Sequence, residues 1–428
     1  MQRFCNRKAR LGLWGTVALA FTAVLLAYVV WGKSRRRHVD LVIPPNVGIA
    51  DLLDSFAALT WGHVVHGNRA VVIQNSAFFD ELVADIERAT HHIHIETFLW
   101  RDGAVSDRVS EALTKRAREG IEVRVLVDQR GAKQTDPHVW ADLRRAGCDF
   151  RVFHRMRFRE FAMYNHRDHR KIVVVDGTVA YTFGHGIADM WCGTPQHPRG
   201  WRDTAVRVTG PAVREFQTAF FDNWGRSAGT IPAGDRYFPP LEPAGTIPMH
   251  VAYISQRETT SAVQRLYYFA IAAAQHEILL QNPYFLPDSH ALFLFAEARR
   301  RGVKIRVMMP TASESDFSIV QHASHYHYGP LLRMGAEVIE YTRGMHQKVL
   351  IVDGLWVCLG STNFDPRSFR INDEISVAMC DRDIAAELRA TFDDDAQYCE
   401  PWTMDRWKAR SWKHAAWDWF ASRLKREL

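Results

Sequence analysis

The chain has 428 residues, 47% hydrophobic and 24% charged, with a formal net charge of +6 at pH 7; it is ordinary for a globular protein and long enough for two domains plus extras. Residues 1–40 hold eight Lys/Arg and one Asp, while the other 388 residues hold 46 Lys/Arg against 47 Asp/Glu, a net of −1. The positive charge therefore flanks the N-terminal segment, which weakens a nuclease reading, because a nucleic-acid enzyme is expected to carry its basic face on the catalytic part.

Leu11 to Gly32 is a 22-residue stretch without a charge, between Arg3, Arg7, Lys8, Arg10 and Lys33, Arg35, Arg36, Arg37. A bilayer core needs about 20 residues at roughly 1.5 Å rise each. Ala18-Leu19-Ala20 resembles a signal-peptide cleavage site, but the apolar run continues through Val30 and Trp31, beyond an ordinary signal core. The expectation is an uncleaved transmembrane anchor whose basic flanks meet anionic headgroups. Four basic residues on each side leave its orientation open.

Residues 33–60 read as a connector broken at Pro44-Pro45. Helices then alternate with strands: helix Phe78 to Thr90, strand Ile93 to Trp100, helix Val109 to Glu119, strand Val123 to Asp128, helix Val139 to Ala146, strand Asp149 to Phe153. After a proline-rich linker the same order returns: helix Val263 to Ala274, strand Ile278 to Tyr284, helix Ala291 to Arg301, strand Ile305 to Met309, helix Gly329 to Met334, strand Glu337 to Tyr341. The expected boundaries are 1–32 anchor, 33–60 connector, 61–228 first domain, 229–248 linker, 249–400 second domain and 401–428 a Trp/Arg-rich helix. Two matching halves of alternating elements imply an α/β architecture with related mixed sheets.

In that last helix Trp412, Ala416, Trp419 and Phe420 fall near one face, which suits either docking on the second domain or lying among lipid headgroups. His91, His92 and His94, and His322, His325 and His327, invite a metal reading. Neither group has an acidic partner at zinc spacing, so solvated or packing roles are expected. Six cysteines at 5, 148, 192, 358, 380 and 399 show no metal spacing and no disulfide framework.

Each half ends in one spelling: His169-Arg170-Lys171, four apolar residues, Asp176-Gly177, and then His346-Gln347-Lys348, four apolar residues, Asp353-Gly354. Apolar runs that end in Asp-Gly read as strands entering tight hairpins. His and Lys two residues apart share one strand face. With two central turn residues, Ser361 would lie opposite His346 with Asn363 two residues further on, and Gly184 opposite His169. Asp176 and Asp353 belong to the repeated motif, yet they lie at the far end of the strand from the histidines, and turn initiation accounts for them.

The doubled motif, with GSTNFDPRSF at 360–369 and Glu374 after it, resembles the phospholipase D superfamily. NHRDHRKIVVVDG from Asn165, WRDTAVRVTGPAV from Trp201 and DPRSFRINDE ending at Glu374 are similar to bacterial cardiolipin synthases. The resemblance spans about residues 60–400. It implies two phospholipase D-like domains related by a pseudo-two-fold axis and packed face to face, with one site between them. It further implies a single-pass protein of the bacterial inner membrane, its catalytic part cytoplasmic, acting on the anionic phospholipid phosphatidylglycerol, with no nucleic acid partner. The oligomeric state is left open.

A phosphodiester is an anion, so Lys171 and Lys348 are suited to clamp its non-bridging oxygens, helped by Ser361 and Asn363. One neutral imidazole attacks phosphorus while a protonated one serves the leaving alkoxide. The resemblance assigns the nucleophile to His169 and the acid/base to His346, and places Asp203 and Glu374 as the carboxylates that orient them. The near-symmetric halves do not order the two histidines by themselves. Where the family has GGxN after the first hairpin, this chain has Gly184-His185-Gly186 preceded by Phe183, so an expected Asn donor is Gly186, with His185, Asn165 or His166 as replacements. No nucleotide, haem or metal signature appears, and catalysis without cofactor or metal is expected. The implied reaction transfers a phosphatidyl group from one phosphatidylglycerol to another. A hydrolase releasing phosphatidic acid would use the same residues, and a metal-independent nuclease or a non-catalytic membrane scaffold are the further alternatives.

Overall fold

The computed structural model describes residues 20–22, 24, 43–44, 47–153, 166–193, 200–230, 232–254 and 261–423. Apart from Ala20, Phe21, Thr22 and Val24, the expected Leu11–Gly32 anchor lies outside the described residues. Among the described residues no helix is long and apolar enough to cross a membrane. The described residues from Ile43 onward form one compact unit.

The first half supplies β1 (Val65–Gln74), β2 (His92–Thr97), β3 (Glu122–Asp128), β4 (Asp149–Phe153), β5 (Ile172–Val175), β6 (Val179–Phe183) and β7 (Thr204–Thr209). The second supplies β8 (Ile247–Tyr253), β9 (Glu277–Gln281), β10 (Lys304–Pro310), β11 (Glu337–Tyr341), β12 (Val349–Val352), β13 (Trp356–Gly360) and β14 (Ile375–Cys380), with β15 (Cys399–Trp402) beyond β11. Strand order is β4-β3-β2-β5-β6-β7-β1 in one half and β11-β10-β9-β12-β13-β14-β8 in the other. The halves are thus topological copies. Helices Ala104–Arg118 and Pro137–Arg145 make the parallel crossovers β2-β3-β4, and Ser289–Arg300 and Ser318–Arg333 make β9-β10-β11, as parallel pairing requires a long return. The hairpin strands make the rest of each sheet antiparallel.

β1 and β8 pair antiparallel at Val65↔Met249 and Asn68↔Ile247, joining the two sheets edge to edge. About this hinge β13 lies against β6 and β7, and β14 against β6. One apolar core runs through both halves, including Leu126, Val174, Val206 and Phe220 with Leu279, Ile351, Val357 and Phe392. Strands β2, β5 and β12 are buried along their whole length; β5 and β12 accordingly read as continuous apolar runs, whereas β2 buries His92, His94 and Glu96 in alternation with isoleucines.

The helix expected at Gly329 to Met334 begins at Ser318. Its buried residues mix polar with apolar, which blurs the apolar period: Val320, Ala323 and Leu331 are buried beside Gln321, His325 and Tyr328, and the last three all hydrogen-bond the Glu340 carboxylate. His92 and His94 are buried packing residues, their rings 4.4 Å apart, with His94 stacked on Phe220 at 4.6 Å. The C-terminal helix Trp412–Arg423 docks on Ser318–Arg333 through buried Asp418, Ala421 and Ser422 while Trp412, Trp417, Trp419 and Phe420 face outward. The five described cysteines are free.

Candidate active site

The two motifs enter the fold identically. Asp176 and Gly177 have φ of 54° and 65°, Asp353 and Gly354 of 55° and 59°, the left-handed pair that a tight hairpin needs. The ladder resumes at Val175↔Val179 and Val352↔Trp356, so three residues stand outside it where the count of two central residues expected a shorter loop. The return strands are displaced by one residue, which changes faces: Thr182 lies opposite Ile172 and Leu359 opposite Val349. The expected pairing of Ser361 with His346 and of Gly184 with His169 is replaced accordingly.

Asp176 and Asp353 do not join the histidines. Asp176 accepts hydrogen bonds from the amides of Thr90, His91 and His92 at 2.7 to 2.9 Å and from Thr90 Oγ1 at 2.8 Å. Asp353 accepts from the amides of Gln275, His276 and Glu277 at 2.7 to 2.9 Å. Each ties its hairpin tip to the start of the adjacent antiparallel strand, β2 or β9. Burial raises the Asp176 carboxyl, but these donors outweigh it and hold the group below the usual carboxylate range.

At the other end of the strands the halves exchange backbone. His169 N donates to Asp373 O at 2.9 Å and Asp373 N to Arg167 O at 2.8 Å; His346 N donates to Arg202 O and Arg202 N to Gly344 O, both at 2.8 Å. In each case the residue after the bridge is an acid that reaches the histidine of the opposite half. His169 Nδ1 lies 2.9 and 3.0 Å from the two Glu374 carboxyl oxygens. His346 Nδ1 lies 2.9 Å from Gly184 O, 2.8 Å from Lys348 Nζ and 3.4 Å from Asp203 Oδ2. With Nδ1 committed, Nε2 of each ring is the nitrogen left for chemistry. His169 and His346 are 8% and 7% exposed, Lys171 and Lys348 1% and 2%, and both acids 0%.

Each acid has its own support. Ser361 Oγ donates to Glu374 Oε2. Trp191 Nε1 donates to Asp203 Oδ2 at 3.0 Å and Thr204 N to Oδ1 at 2.8 Å. A Cβ on Gly184 would sit 2.1 Å from Asp203 Oδ1, so this glycine is required for close approach. Lys171 Nζ donates to His169 O at 3.1 Å, and Lys348 Nζ donates to His346 O. Asn363 is 4% exposed and its Oδ1 has no partner among the described residues.

Electrostatics separate the two dyads. Burial lowers His169 far below the usual imidazole range, reinforced by Lys171, Lys348, His346 and Arg367. Burial and Lys348 also lower His346, but Asp203 pulls it back up. Burial raises Asp203, yet His185, His346 and Lys348 outweigh that and keep it ionised. Burial pushes Glu374 up to about 7 against the pull of Lys171. Burial lowers Lys171 to about 8 and Lys348 to about 7. An arriving phosphodiester anion would restore their charge.

His185 is fully buried, stacked on Phe78 at 4.8 Å with Nε2 3.0 Å from Asn75 O, and His166 Nδ1 donates to Ile371 O at 2.8 Å. Neither is placed as a substitute for the missing Asn donor, and Asn165 lies outside the described residues. Gly186 is hemmed in: a Cβ there would meet Leu99 at 2.8 Å and Trp191 at 3.0 Å. Sequence reasoning missed the aromatic walls, Phe98 5.1 Å from the His169 ring and Trp191 and Trp201 5.7 and 5.9 Å from His346. It also missed Arg367, and Trp191 as a donor; no spacing signal marks either.

The family model described as "Cardiolipin synthase, PLD-like domain" matches residues 82–187 and 268–396, one segment in each half. The major cardiolipin synthase ClsA of Bacillus subtilis (strain 168) is 31% identical over 336 residues, 78% of this chain and 69% of the relative. A cardiolipin synthase of Oceanobacillus iheyensis is 33% identical over 335 residues, again 78% and 69%. The crystal structure of a phosphatidylserine synthase from Haemophilus influenzae Rd KW20 superposes with a TM-score of 0.62 over 84% of this chain and 95% of that one at 12% identity, which speaks for the fold alone.

Proposed function

Because the chain belongs to the cardiolipin synthase family of phospholipase D-like enzymes, we propose that it joins two phosphatidylglycerol molecules into cardiolipin and free glycerol at the site between its halves. His169 Nε2 attacks the phosphorus of the first lipid; the phosphorus–oxygen bond to the headgroup glycerol breaks, and His346 gives that oxygen its proton. The phosphatidyl group is then held on His169. The free headgroup hydroxyl of a second phosphatidylglycerol loses its proton to His346 and attacks phosphorus, so cardiolipin leaves and both imidazoles return to their starting states. One ester replaces another, and no further reactant is consumed.

The observation that carries this reading is the pair of histidine–carboxylate dyads that the halves build for each other around two buried lysines. The unequal acids support the division of labour: ionised Asp203 favours a proton on His346, while His169 stays neutral, as a nucleophile must. Lys171, Lys348 and the amide of Asn363 are the donors proposed for the non-bridging oxygens. Hydrolysis would follow if water reached the phosphohistidine, and the aromatic walls beside both histidines favour its exclusion. We place the protein at the bacterial inner membrane, where its substrate resides, with its catalytic part on the cytoplasmic side.

The test is full-length protein in vesicles of labelled phosphatidylglycerol, beside His169→Ala, with products separated by class. Cardiolipin and glycerol in equal amounts, absent in the variant, are expected. Phosphatidic acid as the main product would make the protein a hydrolase instead.

A further inference from the structure

Between helices Ser318–Arg333 and Trp412–Arg423 lies a cluster that phosphodiester chemistry does not use. His322 and His325 come from the first helix at i, i+3, and His414 and Asp418 from the second at i, i+4, so each helix offers two ligands on one face. One ligand atom from each of the four lies within 4.8 Å of every other. Three imidazole nitrogens converge on a single oxygen: His322 Nδ1, His414 Nε2 and His325 Nδ1 are 3.0, 3.5 and 3.8 Å from Asp418 Oδ1. We propose that His322, His325, His414 and Asp418 form a closed site for a divalent transition metal of the zinc class, which staples the C-terminal helix to the second half.

The donor set is three imidazoles and one carboxylate, four ligands for a tetrahedral ion, with no position left for water, as in a structural rather than a catalytic site. Bonds of about 2.0 Å give tetrahedral edges of about 3.3 Å, in the middle of the three separations above. His325 carries the strongest argument. Its Nε2 lies 2.8 Å from Glu340 Oε1, so Nε2 holds the proton and donates it. Nδ1 is then a bare lone pair, buried, without a hydrogen bond, and aimed at a carboxylate oxygen. Two electron-rich atoms facing each other at 0% and 4% residue exposure are stabilised by a positive charge between them, either a second proton on His325, which Asp418 and Glu340 favour, or a metal ion.

A carboxylate behind a ligating imidazole is also how metal sites fix tautomer and raise ligand basicity. Arg410 occupies Asp418 Oδ2, leaving Oδ1 for the ion. The side chains of His322 and His414 are 23% and 40% exposed, which provides an entry path. A second proton on His325, with His322 Nδ1 donating to the same oxygen at 3.0 Å, is the metal-free account, and metal titration separates the two. The sequence hid this site because its acid stands 96 residues from His322, so the histidine pair looked unaccompanied.

The test uses full-length protein without a polyhistidine tag, stripped with chelator, dialysed and titrated with Co²⁺ or Zn²⁺. One equivalent per chain, the visible bands of tetrahedral Co²⁺ and a higher melting temperature with Zn²⁺ are expected. His322→Ala and His414→Ala, at partly exposed positions, should lose the bands and the thermal response while their metal-free melting stays near that of the parent. Glu340→Gln should bind metal about 10- to 100-fold more weakly, and His169→Ala should bind normally, which separates this site from catalysis. No stoichiometric metal in the parent overturns the proposal, independently of how any variant folds. Bands that persist in both histidine variants overturn it as well.

Discussion

The two halves repeat one chain path, with the same strand order and the same Asp-Gly tip clasping the start of the next strand, yet they arm their histidines differently. His346 stands against an ionised aspartate that Trp191 and Thr204 hold. His169 stands against a glutamate that titrates near neutrality under a serine. The difference extends one layer back. Behind the first motif lie Glu96, Asp168 and Asp373 around fully buried Arg170, with burial raising Glu96 to about 7 and Asp373 to about 6. At the matching places of the second half Gln281 and Gln347 hydrogen-bond Asp395, which pairs with Arg202. A symmetric backbone therefore carries two unequal electrostatic environments, and pairs of groups pushed apart in pKa are what acid–base division of labour requires.

The largest effects should come from removing the histidines, and the comparison predicts that the two losses differ in kind. His169→Ala should abolish transfer with every substrate. His346→Ala should lose about 10²- to 10⁴-fold with phosphatidylglycerol but recover a burst with an activated lipid such as a phosphatidyl-p-nitrophenol, whose leaving group needs no proton. Rapid-quench measurement of the released phenol decides it. A burst from the His169 variant and none from the His346 variant would reverse the assignment.

Next in size are the acids. Asp203→Asn should lower kcat by about 10²- to 10⁴-fold, because an amide neither stabilises the imidazolium nor holds the same tautomer. Gly184→Ala should approach that loss, since its Cβ would displace the Asp203 carboxylate. Glu374→Gln should cost about tenfold at pH 7, where Glu374 is already partly protonated. Equal losses at Asp203 and Glu374 would erase the proposed asymmetry.

The pH profile is a finer measurement. Glu374 must be ionised to take the His169 Nδ1 proton, so kcat/KM should rise with pH through about 7; the lysines must be protonated to hold the phosphodiester, so it should fall through about 7 to 8. The result is a narrow bell whose limbs belong to the coupled set rather than to single residues. Glu374→Gln should flatten the acid limb. Lys348→Arg should move the alkaline limb upward, because a guanidinium keeps its proton. The same glutamate bears on stability. Its folded pKa lies above its unfolded one, so the stability it confers is present at low pH and is lost as pH rises through about 7. Glu374→Gln should therefore melt higher than the parent above pH 7.

What was legible in the chain was whatever repeats or has a local period. The His-x-Lys spellings, the Asp-Gly tips, and strands such as Asp149–Phe153 and Glu337–Tyr341 stand where their local patterns place them. Pairings that cross between the halves were not legible. Glu374 and Asp203 stand out in the sequence, but only the parallel bridges at Asp168↔Asp373 and Arg202↔Met345 give each acid to the opposite histidine. β1, which with β8 joins the sheets, lies in the expected first domain at residues for which no strand was expected, and β8 starts at the end of the expected linker and runs into the second domain. Polar burial hid the rest: in the helix Ser318–Arg333, Gln321, His325 and Tyr328 are buried around Glu340 among Val320, Ala323 and Leu331, and this mixture blurs the hydrophobic period.

The smallest effect concerns Gly186, where the first half lacks the amide that Asn363 gives the second. Restoring it is not a simple gain. An Asn at this position would push its Cβ to 2.8 Å from two Leu99 carbons and 3.0 Å from the Trp191 ring, and Trp191 is the indole that holds Asp203. Gly186→Asn should therefore lower activity a few-fold by disturbing that indole, although it adds a donor. Leu99→Ala combined with Gly186→Asn should recover part of the loss, and if the added amide reaches the phosphate, the double variant should show a lower KM than Leu99→Ala alone. A Gly186→Asn enzyme faster than the parent would mean that the asymmetry at this position is a defect of the first half rather than the packing condition for its aspartate.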